Sequence, residues 1–285
     1  MKDLMGRLPK KIKRPLWLDW DGRGYFGVPH EPVTPFPSTP LAEPTLAWLS
    51  AFQHARLGDF RYVDRISRIV GQEGEFVPYD TCSDLLADAG PSAAFPELLD
   101  FIAQHHWNFE LTYAWCQAVA ARGRLRDIPI LVDAYEANVT PVTDDHEIIL
   151  MYISQVIDEH ELSRFDDVVG FASFEEYRAA VEEHCSMLAE RFGGEDVLLW
   201  RGQPTSVRRM ARMFLECAGQ RKIVLPAWNR HRFEASTGID CTAMFDRRGS
   251  FKPLEAAAIA EAFLDSPAAE NYVDGARYFF GHRVP

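Results

Sequence analysis

The chain has 285 residues, 47% of them hydrophobic and 25% charged, a balance that excludes disorder, collagen and low-complexity sequence and suits one large domain or two unequal ones. No run of about 18 apolar residues occurs, so a transmembrane helix is excluded, and Met1 to Lys13 carry charge with no apolar stretch behind them, so no secretory signal is expected. The net charge of −12 argues against nucleic acid as a partner; five cysteines with no CxxC pair point to reduced thiols and a cytoplasmic address.

Residues 1–50 read as an extended arm, because Trp17, Trp20 and repeated prolines up to Pro44 allow no long helix. Leu16 to Asp21 suggests a short strand, Gly22 to Gly24 a turn, and Tyr25 to Val28 a returning segment. Residues 51–165 carry a repeat. At an offset of 33, Gly90 pairs with Gly123, Phe95 with Ile128, Pro96 with Pro129, Leu98 with Leu131 and Asp100 with Asp133. A weaker copy at an offset of 32 pairs Gly58 with Gly90, Val63 with Phe95 and Ile66 with Leu98.

Each unit reads as two helices, 60–70 with 79–89, 93–104 with 109–121, and 127–138 with 145–157, from apolar residues at i, i+3, i+4 and i+7. Gly90 and Gly123 fall where a left-handed helix cap is expected, and Pro96 and Pro129 where a helix begins. One such pair cannot bury its own apolar stripe, so the pairs must stack. Residues 166–285 form a mostly helical C-terminal domain, with helices over 175–192, 207–217 and 253–264, strands at 197–200 and 222–226, and an aromatic closing segment from Tyr272 to Phe280.

Charge is distributed unevenly. Between Asp144 and Asp196 fifteen acids face three arginines, whereas between Arg201 and Lys252 eleven bases face four acids. An acid-rich surface of this kind steers a basic partner.

The Leu57-Gly58-Asp59 step with Val63, Gly90 with Phe95-Pro96, and Gly123 with Ile128-Pro129 resemble the HEAT-like repeat family. That resemblance implies a mainly α, solenoid-like stack acting as a recognition scaffold, with the second helices lining its concave face. Candidate partner-binding residues on that face are Asp80, Asp84, Trp107, Tyr113 and His146. The acid-rich stretch adds Asp144, Asp145, Glu147, Asp158, Glu159, Glu161, Asp166 and Asp167. Gly90 to Asp133, Trp228-Asn229, Arg232-Phe233-Glu234 and Tyr278 to His282 also look like immunity proteins of bacterial polymorphic-toxin and type VI secretion systems. This implies a non-enzymatic cytoplasmic binder, with no cofactor and no membrane, that occludes the active site of a cognate protein toxin. A basic nuclease is the toxin type the acids would suit.

Two alternatives stay open. One is a general HEAT-like scaffold. The other is an enzyme: Trp200-Arg201-Gly202 looks like the opening of an FRG domain, and Arg201, Thr237 and Glu255 resemble the NAD-clamping residues of ADP-ribosyltransferases. His105, His106, His160 and His184 lack metal-ligand spacing, and the cysteines lie on apolar helix faces and read as core.

Overall fold

The computed structural model describes residues 24–66, 79–91, 109–138, 147–159, 164–219, 227–246 and 250–285, and these are mainly α-helical. The expected strand at 16–21, the helix at 93–104 and the strand at 222–226 lie outside the described residues. Helix α1, Pro44–Arg56, starts within the segment expected to be extended. Pro44 sits in its first turn, where a missing N–H costs nothing, and Trp48 and Phe52 are fully buried from it. Gly24–Gly27 winds a 3-10 turn in place of the expected returning strand. Over 60–66 the chain runs in turns and a short 3-10 helix, Asp64–Ile66, rather than an α-helix. The buried residues there, Phe60, Val63 and Ile66, recur every third position, which is the 3-10 period.

The following helices lie close to where the apolar spacing puts them. They are α2 (Tyr79–Ala89), α3 (Phe109–Arg122), α4 (Ile128–Asn138) and α5 (Glu147–Ile157). The second helix of each sequence unit packs beside the next, α2 on α3 and α3 on α5, while α4 lies across α3 and α5. No side chain from Thr112 to Arg122 is exposed, because this stretch is apolar around most of its circumference and is covered on every side. Gly123 ends α3 at φ +70°, as a left-handed cap, with its N–H on the Val119 carbonyl. Gly90 differs from expectation: its N–H caps the Leu86 carbonyl at 2.8 Å, but its φ is not positive.

Helix α6, Phe174–Phe192, covers α4 and α5 from outside. Ser173 caps it by accepting the Glu176 N–H at 3.2 Å, Glu176 reaches back to the Ala172 N–H, and Gly193 closes it at φ +89°. Helices α7 (Val207–Gly219), α8 (Ala227–Thr237) and α9 (Pro253–Leu264) gather around a second apolar core that includes Trp200, Phe214, Phe233, Phe263 and Tyr272. The Ala256 and Ala260 methyls let α9 lie directly against α7.

Two minimal hairpins join the cores. One is β1 (Leu199–Trp200) with β2 (Gln203–Pro204), the other β3 (Tyr278–Phe279) with β4 (His282–Arg283). Side chains alternate along a strand, so Leu199 and Phe279 enter the first core while Trp200 and Tyr278 enter the second. Each turn has two left-handed residues, Arg201 (φ 52°) with Gly202 (φ 62°) and Phe280 (φ 48°) with Gly281 (φ 81°), as a two-residue hairpin requires. Both turns aim their N–H groups at the end of a helix. Arg201 and Gly202 donate to the Gln155 and Val156 carbonyls of α5, each at 2.9 Å, and Phe280 and Gly281 donate to Ala235 and Ser236 of α8 at 2.7 and 2.9 Å. Carbonyls that the last helical turn leaves without an intrahelical donor are thereby satisfied from another part of the chain.

Candidate functional site

The acid-rich stretch divides into carboxylates that organise their own loop and carboxylates that face solvent. Asp158 accepts the Arg164 N–H at 2.7 Å and the Phe165 N–H at 3.3 Å, tying the loop after α5 to that helix. Glu159 binds Arg191 at 2.5 Å and the Gln203 amide at 2.6 Å, and Asp167 accepts the Val169 N–H at 2.8 Å. Asp166 and Asp167 are exposed. On α6 both arginines are engaged elsewhere: Arg178 spans Asp133 and Glu136 of α4, each at 2.6 Å, and Arg191 takes Glu159. Among the described residues, Glu182, Glu183 and Glu190 are exposed with no cation at ion-pair distance. Met187, 51% exposed, lies between Glu183 and Glu190 on one face of that helix.

The candidates on the second helices are less open. Asp84 is half-buried and accepts the Gln117 amide at 3.4 Å. Tyr113 is half-buried with its ring 5.6 Å from that of Tyr152, whose hydroxyl pKa is raised by burial and by its hydrogen bond to Tyr113. The C-terminal residues account for this: α8 and β3 pack on α2, and β1 packs on α5. Trp107, Asp144, Asp145, His146 and Glu161 lie outside the described residues, as do the side chains of Asp80 and Glu147.

A polar seam that sequence reasoning did not find runs between α2, α8 and the N-terminal turn. Asp88 Oδ2 accepts the Tyr25 hydroxyl and contacts His231 Nε2, both at 2.7 Å. Burial pulls the His231 imidazolium down, but the Asp88 charge and hydrogen bond, with Asp84 and Glu234 behind them, outweigh it and lift the group to about 9. Glu234, fully buried, accepts the Tyr25 N–H at 3.0 Å, the Cys241 N–H at 3.3 Å and Arg230 at 3.4 Å; burial nonetheless raises its carboxyl pKa. The Gly24 φ of +54° and its closeness to Glu234 leave no room for a side chain: a Cβ would lie 2.2 Å from Oε1. Arg277 closes the seam by donating from Nη1 to the Gly90 carbonyl at 2.7 Å and from Nη2 to the Ala87 carbonyl at the end of α2. The one sequence signal of this seam is Asp84 and Asp88 at i, i+4 on α2.

The residues of the enzymatic alternative each serve their own neighbourhood. Arg201 occupies the hairpin turn with its guanidinium 5.6 Å from the Trp200 ring. Thr237 closes α8, its hydroxyl donating to the Phe233 carbonyl at 2.7 Å and accepting the Ile239 N–H at 3.1 Å. Glu255 is held by Lys252 at 2.6 Å in the first turn of α9. Cys82, Cys116 and Cys241 are buried, and burial pushes the Cys116 thiol up to about 12. His184 contacts the Ile157 carbonyl at 3.0 Å. Among the described residues no group of three or more His, Cys, Asp or Glu is placed to hold a metal ion, and no helix is long and apolar enough to cross a membrane. No protein family, curated protein or solved structure matched the chain.

Proposed function

We propose that the chain is a protein-binding module, a HEAT-like stack closed by its C-terminal domain, that neutralises a cognate bacterial toxin of basic charge by direct contact. The observation that carries this reading is the outer face of α6, where Glu183 and Glu190 flank the exposed Met187, Glu182 is exposed beside Glu183, and the helix's own arginines are turned to other acids. An apolar anchor flanked by acids suits a partner that brings cations beside a small hydrophobic pocket. The stacking of α2, α3 and α5 in order supports the solenoid part of the reading. Coverage of α2 and α5 by the C-terminal residues moves the favoured contact surface from the concave side to α6 and the loop holding Asp166 and Asp167.

The test is co-expression with the product of the adjacent open reading frame. The expected outcome is a one-to-one complex, weakened by salt, in which a protein toxic alone becomes harmless. The double variant Glu182→Lys, Glu183→Lys lowers affinity tenfold or more while its melting curve stays within about 0.5 kcal/mol of the parent, as surface substitutions do. A harmless neighbour, or a complex indifferent to the charge reversal, overturns the reading.

A further inference from the structure

A cleft of about 580 Å3 opens where the end of α3 meets the C-terminal residues. Arg122, Arg124, Arg277 and Arg283 line it, together with Asp196 and Pro285, the last residue of the chain. Asp196 is already engaged by Arg126 at 2.6 Å, outside the lining, and stands 3.9 Å from Arg124. Asp127, 3.8 Å from Arg124, is nearly buried, and burial raises its carboxyl pKa. Four arginines therefore line the cleft against two carboxylates, that of Asp196 and the terminal one of Pro285, in a chain whose net charge is −12.

Such crowding of guanidinium groups is costly. Burial, and then the charges of Arg277 and Arg124, bring Arg122 down to about 9. Burial brings Arg277 down to about 10, with Asp88 resisting and Arg124 and Arg232 adding to the fall. An anion bound in the cleft would relieve this repulsion between the guanidinium groups. Guanidinium groups in a planar fork suit phosphate oxygens, and the volume lies in the range of small-molecule sites. Beside Arg122 and Arg277 the cleft abuts a small, half-open cavity of about 30 Å3 lined also by Asp88, Thr205, Arg232 and Ser236. Among the described residues, Arg232 Nη1 and Thr205 Oγ1 there have no hydrogen-bond partner, although both side chains are more than nine-tenths buried. The polar lining thus continues beside the cleft.

We infer that this cleft binds a small molecule through its phosphate group, held by Arg122, Arg124, Arg277 and Arg283. The site shares no residue with the acidic face of α6 and does not depend on the toxin-binding reading. A long polyanion is disfavoured, because the surrounding surface is negative and repels it at distance.

Pyrophosphate and inorganic phosphate are titrated calorimetrically into the full chain at low ionic strength, with any tag at the N-terminus so that Pro285 is unaltered. Pyrophosphate is expected to bind below millimolar, more tightly than phosphate, and to raise the melting temperature. Arg283→Gln, at an exposed side chain, and Arg124→Gln each weaken binding at least fivefold with unchanged circular dichroism, while the control Arg61→Gln, at the Asp59 pair outside the lining residues, leaves it unchanged. No heat and no melting shift at several millimolar, unchanged affinity in both Arg283→Gln and Arg124→Gln, or equal displacement by chloride and sulfate at matched ionic strength overturns the assignment. So does binding of a single-stranded oligonucleotide without binding of pyrophosphate.

Discussion

Replacing His231 with Gln tests the buried seam directly. The imidazole bridges α8 to Asp88 of α2 with its side chain only 20% exposed, and its pKa stands at about 9 against an ordinary 6.5. Between those two values the folded chain holds a proton that the unfolded chain releases, so the stabilisation is whole below pH 6.5 and is lost as pH rises through 9. At about 1.4 kcal/mol per pH unit, the difference amounts to roughly 3 kcal/mol. Urea titrations followed by the fluorescence of the buried tryptophans Trp48, Trp115 and Trp200 give the stability of parent and variant at a series of pH values. The gap is expected to be about 4 kcal/mol at pH 6 and to shrink by pH 10 to the ~1 kcal/mol of an ordinary hydrogen bond. Taking the difference between the two proteins cancels the titration of Arg122, Arg232 and Arg277, whose depressed values act at the alkaline end in both. A gap that stays constant or widens toward pH 10 refutes the charged pairing of His231 with Asp88.

Two glycines with the same handedness separate backbone strain from steric contact. Gly123→Ala meets both a φ of +70° and the Leu199 carbonyl, 2.1 Å from the new Cβ, and is expected to cost more than about 3 kcal/mol. Gly193→Ala, at φ +89° with open space around it, costs about 1 kcal/mol. Thermal melts of both variants check this, and equal losses would remove the role of Gly123 in seating β1. At pH 8, iodoacetamide followed by mass spectrometry should leave Cys82, Cys116 and Cys241 unmodified in the folded chain and alkylate all five cysteines in urea, because burial holds these thiols protonated.

The helices legible in the sequence are those whose apolar residues keep a period. The stretches 79–89, 109–121, 127–138 and 253–264 each place Leu, Ile, Val, Ala or Phe on the positions that are buried, and each appears within two residues of its expected limits. The acid-rich stretch was legible as a count of charges, but which of its acids stand exposed without a cation was not: Glu182, Glu183 and Glu190 were not among the candidates, whereas Asp158 and Glu159, which were, are engaged. What only tertiary structure decided is how the two cores join. Helix α8 has no apolar period to read: its buried positions include Asn229, Arg230, Arg232 and Glu234, of which Glu234 is met by the N–H groups of Tyr25 and Cys241 and Arg232 by the Trp200 ring, all from other parts of the chain. The hairpins are two residues per strand, too short for alternation to register. Their turns hold because left-handed Arg201 and Phe280 present N–H groups to helix ends, at Gln155 and Ala235 respectively. Periodicity is a local property and can be read along the chain. The satisfaction of buried polar groups is a pairing between residues such as Asp88 and His231, and it comes into being only when the chain closes on itself.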